Sequence, residues 1–220
     1  SLLGKTCYGG LDLSTTTDLT AFVLLFPPQD GVPKWTVLFR AWMPDSDLDA
    51  REKRDYAPYG DWYRAGFLTR CVGDTIDFDD VQKTILQAAA DYKLKTLGVD
   101  PYLSRMMTME LMRNQVAVVE IPQDMKNLSP AMKLIETLLR KRQMEHQHNT
   151  CCRSCFIRTR CAVDGNENKK PMKNKSTGRI DLVVAWIIAM AAALLDERAP
   201  DMNRAVEAYL NAMNQNGGDV

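Results

Sequence analysis

Residues 6–26 have the sequence TCYGGLDLSTTTDLTAFVLLF, and this stretch decides how the rest of the chain is organised. Two apolar runs, Thr6 to Leu13 and Leu19 to Phe26, are separated by the polar segment Ser14 to Asp18, a pattern typical of two strands joined by a turn. Asp12 stands between two leucines in the first run, where strands disfavour aspartate. Its carboxylate therefore needs a partner.

The segments that follow alternate between strand and helix signals. Trp35 to Trp42 is rich in aromatic and β-branched residues and comes after the turn signal Pro27 to Gly31, so it predicts a third strand of an antiparallel meander. Phe78 to Tyr92 has apolar residues at helical spacing behind Asp77, a predicted N-cap. Further strands are predicted at 96–99, 116–121 and 151–163, and further helices at 47–54, 103–114, 129–142 (N-cap Ser129, first residue Pro130) and 177–195.

A meander of three strands followed by alternating helices and strands is the order of a ribonuclease-H-like fold. We therefore predict an α/β fold with a central mixed β-sheet, three antiparallel strands and then parallel strands, flanked by helices on both faces. Length and composition agree, because 220 residues that are 45% hydrophobic and 25% charged suit one sizeable domain. Two large lobes around a cleft are disfavoured by the same length.

Three aspartates stand where predicted elements end or begin: Asp12 in the first strand, Asp100 after the strand 96–99, and Asp181 at the start of the last helix. Each has an ordinary explanation, respectively a turn cap, an Asp-Pro turn and a favourable contact with the helix dipole. Together they can converge on one point. Three acids without a cationic side chain among them repel each other unless they hold hard cations such as Mg²⁺ or Mn²⁺. Two such ions suit phosphodiester hydrolysis.

Charge is distributed unevenly along the chain. The 28 basic and 28 acidic residues cancel, which argues against binding nucleic acid through bulk charge. Between Ile121 and Ile180, however, there are thirteen basic and five acidic residues, so that segment carries a net charge of +8 and the remainder −8. This polarity predicts one face that meets a polyanion, although a merely solvated face is an equal alternative.

Six cysteines in a chain that we expect to be cytosolic should stay reduced. Four of them cluster shortly after His146 and His148, namely Cys151, Cys152, Cys155 and Cys161. Thiolate and imidazole ligands suit zinc, and the C-x-x-C spacing is that of a zinc knuckle. No second pair completes a tetrahedral site in the sequence, so a strand of small residues is the favoured interpretation and zinc stays open.

No feature of the sequence indicates a membrane. The longest apolar run, Leu182 to Leu195, is shorter than the roughly 20 residues that a bilayer requires and predicts a buried helix. The first residues lack the apolar stretch and cleavage site of a signal peptide, so we expect a cytoplasmic setting.

Three motifs carry a family resemblance. Gly10 to Ser14 with Thr17 to Thr20, Gly98 to Pro101, and especially Lys173 to Asp181 (KNKSTGRID) resemble the nuclease domain of the large terminase subunit of tailed bacteriophages. The resemblance implies a metal-dependent endonuclease that cleaves concatemeric double-stranded phage DNA during genome packaging. It implies Asp12, Asp100 and Asp181 as catalytic ligands of two Mg²⁺ or Mn²⁺ ions. It also implies that Lys173, Lys175 and Arg179 contact DNA phosphates, in agreement with the basic segment.

The same resemblance implies how the chain is divided and what it meets. Residues 1–195 would be the nuclease domain and 196–220 an acidic and polar tail. The N-terminal packaging ATPase domain of the family would be absent, because no G-x-x-x-x-G-K-[ST] phosphate loop occurs. The implied partners are double-stranded DNA, that ATPase domain, the small terminase subunit and the portal protein. The implied location is the host cytoplasm and not the mature virion. Residues 149–161 depart from the family pattern through their many cysteines and arginines.

Two other functions are kept open at this point. Asp12 to Thr16 also resembles the first phosphate loop of actin-like and sugar-kinase ATPases, of which this chain would be a fragment, since that family needs two lobes. A non-catalytic, zinc-bearing DNA-binding module is the other alternative. Dependence on Mg²⁺ or Mn²⁺, binding of ATP, and stoichiometric zinc would distinguish the three.

Overall fold

The computed structural model describes residues 1–14, 18–101 and 105–196. Strands β1 (Thr6–Asp12), β2 (Thr20–Phe26) and β3 (Trp35–Pro44) form the predicted antiparallel meander. The other strands are β4 (Thr69–Cys71), β5 (Lys93–Val99), β6 (Val118–Glu120), β7 (Met144–Glu145), β8 (Cys161–Val163) and β9 (Lys169–Pro171). The helices are α1 (Leu48–Asp55), α2 (Tyr59–Arg64), α3 (Phe78–Asp91), α4 (Arg105–Arg113), α5 (Met125–Arg140), α6 (Thr150–Arg158) and α7 (Asp181–Leu195).

The central sheet has the order β4-β3-β2-β1-β5-β6, with β7 beside β3. β1 pairs with β5 in parallel, and β5 pairs with β6 in parallel. One apolar layer packs α5, α6 and α7 against the sheet, and a second packs α3 and α4 against the other face. The predicted ribonuclease-H-like order, with a mixed sheet flanked by helices on both faces, is therefore confirmed.

Helix α7 lies directly on the sheet because two strand glycines leave room for it. A Cβ atom added to Gly10 in β1 would lie 2.0 Å from the main-chain oxygen of Ala185, and one added to Gly98 in β5 would lie 2.8 Å from Cγ2 of Ile188. Both distances are below van der Waals contact, so only glycine allows the helix to approach this closely. This contact brings the start of α7 to the carboxyl edge of β1.

Helix α7 is the apolar helix that the sequence predicts, although it begins at Asp181 instead of Thr177, and it is buried along nearly its whole length. No helix among the described residues has the length and apolarity to cross a membrane. The predicted tail beyond Asp196, and the middle of the Ser14 to Asp18 turn, lie outside the described residues.

Two local predictions are wrong, and one helix was not predicted. Helix α5 begins at Met125 instead of Ser129, because Asp124 is its N-cap and accepts a hydrogen bond from the main-chain nitrogen of Asn127 at 2.8 Å. Pro130 consequently lies inside the helix. Most of the predicted strand 151–163 is helix α6, capped by Asn149, and only Cys161–Val163 is a strand. Helix α2 was not expected in a segment containing Pro58 and Gly60.

Candidate active site

Two of the three aspartates are buried at the same edge of the sheet. Asp12 is the last residue of β1 and is 2% exposed, and Asp181 is the first residue of α7 and is 1% exposed. The parallel pairing of Leu11 with Val99 places the end of β1 beside the end of β5, which Asp100 follows directly. The predicted convergence of strand ends and helix start is thus present in the fold.

Lys173 stands between the two buried carboxylates. Its Nζ atom donates to Oδ1 of Asp12 at 3.0 Å and lies 2.8 Å from Oδ2, and it is 2.9 Å from Oδ1 of Asp181. The sequence argument assumed that no cationic side chain lies among the acids, and this assumption is wrong. In the arrangement described here, the ammonium supplies the positive charge that buried carboxylates require.

Burial sets the protonation of this cluster. It raises the pKa of the Asp12 carboxyl to about 7, although the ammonium of Lys173 lowers it, while the carboxylates of Asp181 and Asp100 add to the rise. Burial opposes the charge on Lys173, but Asp12 and Asp181 outweigh it and raise the pKa of the ammonium. Burial therefore favours the neutral form of Asp12, whereas the neighbouring carboxylates favour the charged form of Lys173.

Asp100 is held separately, by a residue that the sequence analysis missed. The side-chain nitrogen of Gln123 donates to Oδ2 of Asp100, and the main-chain oxygen of Gln123 accepts from Nζ of Lys170 at 3.4 Å. Asp100 is partly exposed but near enough to raise the pKa of Asp12. The only sequence signal for Gln123 is its place just after β6, the strand beside β5.

The donor set fits a hard divalent cation. Oδ2 of Asp181 is buried and has no hydrogen-bond partner among the described residues, and Oδ2 of Asp12 lies near Lys173 but outside hydrogen-bond geometry. Carboxylate oxygens are the ligands that Mg²⁺ and Mn²⁺ prefer. In the described part of the chain, however, no three acidic, cysteine or histidine side chains are already arranged around one point. Lys173 and the Asp100 side chain would have to move for all three aspartates to share a cation.

The two other predicted phosphate-binding residues differ in their surroundings. Lys175 is exposed in a short 3-10 turn that precedes α7 by several residues. Arg179 is only 19% exposed, forms an ion pair with Asp18, and donates from Nε to Oδ2 of Asp55 at 3.2 Å. Asp18 lies in a motif that carries the family resemblance but was given no role there, and Asp55 had no signal in the sequence, because their contacts with Arg179 join segments that are far apart along the chain.

The cysteine cluster is part of the core. Cys151, Cys152 and Cys155 are buried on α6, whereas Cys161 is exposed on β8. Burial raises the pKa of the Cys152 thiol, and a hydrogen bond to Cys155 together with burial raises that of Cys151, so these thiols resist becoming thiolates. The nearby His146 and His148 are exposed and contact each other.

Residues 1–197 match the family model of the terminase large subunit, endonuclease domain. The large subunit of the terminase of Enterobacteria phage HK97 is 32% identical over 188 residues, which cover 84% of this chain and 37% of that protein. The chain therefore spans well under half the length of this curated relative.

Solved structures show the same fold. The crystal structure of the HK97 bacteriophage large terminase aligns with a TM-score of 0.78 and 30% identity, covering 87% of this chain and 40% of that one. The large terminase nuclease from thermophilic phage G20c, crystallised with bound magnesium, aligns with a TM-score of 0.53 and 11% identity over 84% of this chain and 80% of its own. At 11% identity, the similarity to the G20c nuclease shows a shared fold and nothing more.

Proposed function

Since the chain belongs to the family of terminase large subunit endonuclease domains, we propose that it is a two-metal-ion endonuclease that cleaves concatemeric double-stranded phage DNA during genome packaging. The observation that carries this proposal is the pair of buried carboxylates, Asp12 and Asp181, at the carboxyl edge of β1, with Asp100 at the neighbouring strand end. Family membership also favours the nuclease over the actin-like ATPase and the zinc-bearing module.

Asp12, Asp100 and Asp181 would hold the divalent ions. Bound Mg²⁺ or Mn²⁺ would polarise the scissile phosphate and lower the pKa of the attacking water. The chain's own contribution is to keep two carboxylates buried in a water-poor site, where their interaction with cations is strong. Gln123 would orient Asp100 toward the same edge.

Lys173 has a role that changes with the state of the site. Without a divalent ion, its ammonium neutralises part of the charge of Asp12 and Asp181. Its side chain is 40% exposed, so it reaches the carboxylates from the surface. Once divalent ions neutralise the carboxylates, the ammonium is free to contact a backbone phosphate, and we propose this contact together with that of Lys175.

The partners follow from the family as part of the same proposal. They are double-stranded DNA, a packaging ATPase domain, a small terminase subunit and a portal protein, and the location is the cytoplasm of the host. Contacts through metal ions and phosphates involve only the DNA backbone, which carries no sequence information.

The direct test of the function is incubation of the purified chain with supercoiled plasmid, with and without Mn²⁺. We expect nicked and linear products only when the metal is present. Metal-independent products, or intact plasmid at high protein and Mn²⁺ concentrations, would contradict the proposal.

A metal titration tests the role of Lys173. Because its ammonium competes with cations for two carboxylates, Lys173→Gln should strengthen Mn²⁺ binding on the order of tenfold, which corresponds to about 1.4 kcal/mol. The measurement is the free Mn²⁺ signal in electron paramagnetic resonance, without DNA. Lys175→Gln is the matched control and should leave Mn²⁺ binding unchanged. Weaker binding in Lys173→Gln would show that the ammonium supports the site instead of competing for it.

The salt dependence of DNA binding tests the phosphate contacts. Each phosphate contact adds about 0.9 to the slope of log affinity against log salt. Neutralising Lys173 and Lys175 together should lower this slope by up to about 1.8 on duplex DNA of any sequence. Lys93→Gln is the control, because Lys93 is exposed at the opposite end of β5 from Asp100. An unchanged slope in the double variant would assign both lysines to a solvated loop.

A further inference from the structure

We propose that Asp55 and Arg179 form a positioning pair that holds the start of α7, and with it Asp181, against the end of β1. This inference rests on the proposed nuclease function and adds a residue, Asp55, that lies outside the resembling motifs. It also assigns to Arg179 a role different from the phosphate contact that the sequence predicts.

The pair is a buried junction between three distant segments. Arg179 lies two residues before Asp181, Asp18 lies six residues after Asp12, and Asp55 ends α1. The guanidinium of Arg179 binds the carboxylates of both Asp18 and Asp55. The side chains of Arg179 and Asp55 are 19% and 9% exposed, so little water competes for the contact between them, whereas the Asp18 side chain is 35% exposed.

Asp55 is built to keep its carboxylate fixed. Arg54 donates to it twice, from Nε and Nη2, each at 2.8 Å, and the hydroxyl of Tyr59 donates to Oδ2 at 2.8 Å. Arg158 in addition binds the main-chain oxygen of Asp55. A carboxylate with this many donors is rigid, and it fixes the Arg179 guanidinium that it accepts from.

The backbone just before Asp181 is held chiefly by side chains, among them that of Ile180, which is 1% exposed in the core. No regular helix or strand covers residues 176–180, and the N-cap residue of α7, Ile180, makes no side-chain capping bond. A Cβ atom added to Gly178 would lie 2.6 Å from Nη1 of Arg158, so this segment also packs tightly against the same arginine. The Arg179 anchor therefore acts together with the packing of α7 on β1 in fixing Asp181, since outer contacts of this kind orient metal ligands.

A phosphate contact and a positioning role predict different results for Arg179→Lys. Lysine keeps the positive charge that a phosphate would require, but it loses the planar fork that joins two carboxylates. If the pair positions Asp181, Arg179→Lys and Asp55→Asn should each weaken Mn²⁺ binding about tenfold or more. Cleavage of plasmid at limiting Mn²⁺ should fall to a similar extent. The salt slope of DNA binding should stay at the wild-type value in both variants.

The control for a general loss of stability is Ile85→Val, in the core of the opposite face of the sheet. It should lower the melting temperature while leaving Mn²⁺ binding within about twofold of wild type. If Asp55→Asn does not fold, Arg179→Lys decides the question by the same measurements.

Wild-type Mn²⁺ binding and cleavage in both variants would overturn the inference and leave the proposed function standing. A decrease of about 0.9 in the salt slope of Arg179→Gln would also overturn it, because Arg179 would then contact phosphate. If the wild-type chain neither binds Mn²⁺ nor cuts DNA, both the proposed function and this inference are contradicted. If it binds Mn²⁺ without cutting DNA, only the proposed function fails, because the Mn²⁺ titration still tests whether Asp55 and Arg179 affect metal binding.

Discussion

Plasmid cleavage should be abolished in each of three variants, Asp12→Asn, Asp100→Asn and Asp181→Asn, with a decrease in rate of about 10³-fold or more. Metal-ion stabilisation of a phosphoryl transition state is worth several kcal/mol, and about 4 kcal/mol corresponds to roughly 10³-fold in rate. In the proposed site each aspartate would supply carboxylate oxygens that an amide cannot replace as an anionic ligand. The measurement is the initial rate of supercoiled plasmid loss at saturating Mn²⁺.

The same variants should not lose thermal stability. Asp12 and Asp181 share a single ammonium, so removing either negative charge leaves Lys173 with one buried carboxylate instead of two. Melting temperatures at or above that of the wild type are therefore expected, as measured by calorimetry without metal. Asp61→Asn is the control, because Asp61 is an exposed acid paired with Arg64 on α2. A variant that cleaves at the wild-type rate would remove its aspartate from the site.

The sequence predicts the fold well where local patterns and layer packing agree. The meander and α7 are predicted correctly because their apolar runs are long. The start of α3 is predicted correctly because Asp77 is its N-cap in the structure as well. The errors occur where two local signals compete. At α5, both Asp124 and Ser129 are residue types that suit an N-cap. Asp124 caps the helix, and Ser129, inside it, accepts a hydrogen bond from the main-chain nitrogen of Lys169 on β9.

The candidate site is predictable in its carboxylates and not in what surrounds them. Asp12, Asp100 and Asp181 follow strand ends or open a helix, so topology alone places them at one edge. Their partners come from other elements through contacts between residues far apart in the chain. Gln123 meets Asp100 across 23 positions, and Arg179 meets Asp55 across 124. No local pattern encodes such pairs, so they become visible only when the elements are packed.

The largest effect on folding is expected from Gly10→Ala in β1. The new Cβ would lie 2.0 Å from the main-chain oxygen of Ala185 and 2.4 Å from the main-chain nitrogen of Ala189, so the backbone of α7 would have to move. Overpacking of this kind costs about 1–3 kcal/mol, and contact with backbone favours the upper end. For a chain of this size, about 3 kcal/mol lowers the melting temperature by roughly 6–12 °C.

Gly10→Ala should also reduce cleavage beyond what the lost stability explains. Ala185 lies one helical turn after Asp181, so a helix displaced at Ala185 carries Asp181 away from Asp12. Gly98→Ala should have a smaller effect, since its closest new contacts, Cγ2 of Ile188 at 2.8 Å and the main-chain oxygen of Ile188 at 3.1 Å, are longer than those at Gly10. Gly165→Ala, with nothing within 4 Å of the new Cβ, should change neither property. Calorimetry gives the loss of melting temperature, and plasmid cleavage well below each melting temperature gives the loss of activity. Both losses should be largest for Gly10→Ala, smaller for Gly98→Ala and absent for Gly165→Ala. A different order would mean that α7 does not rest on β1 in solution.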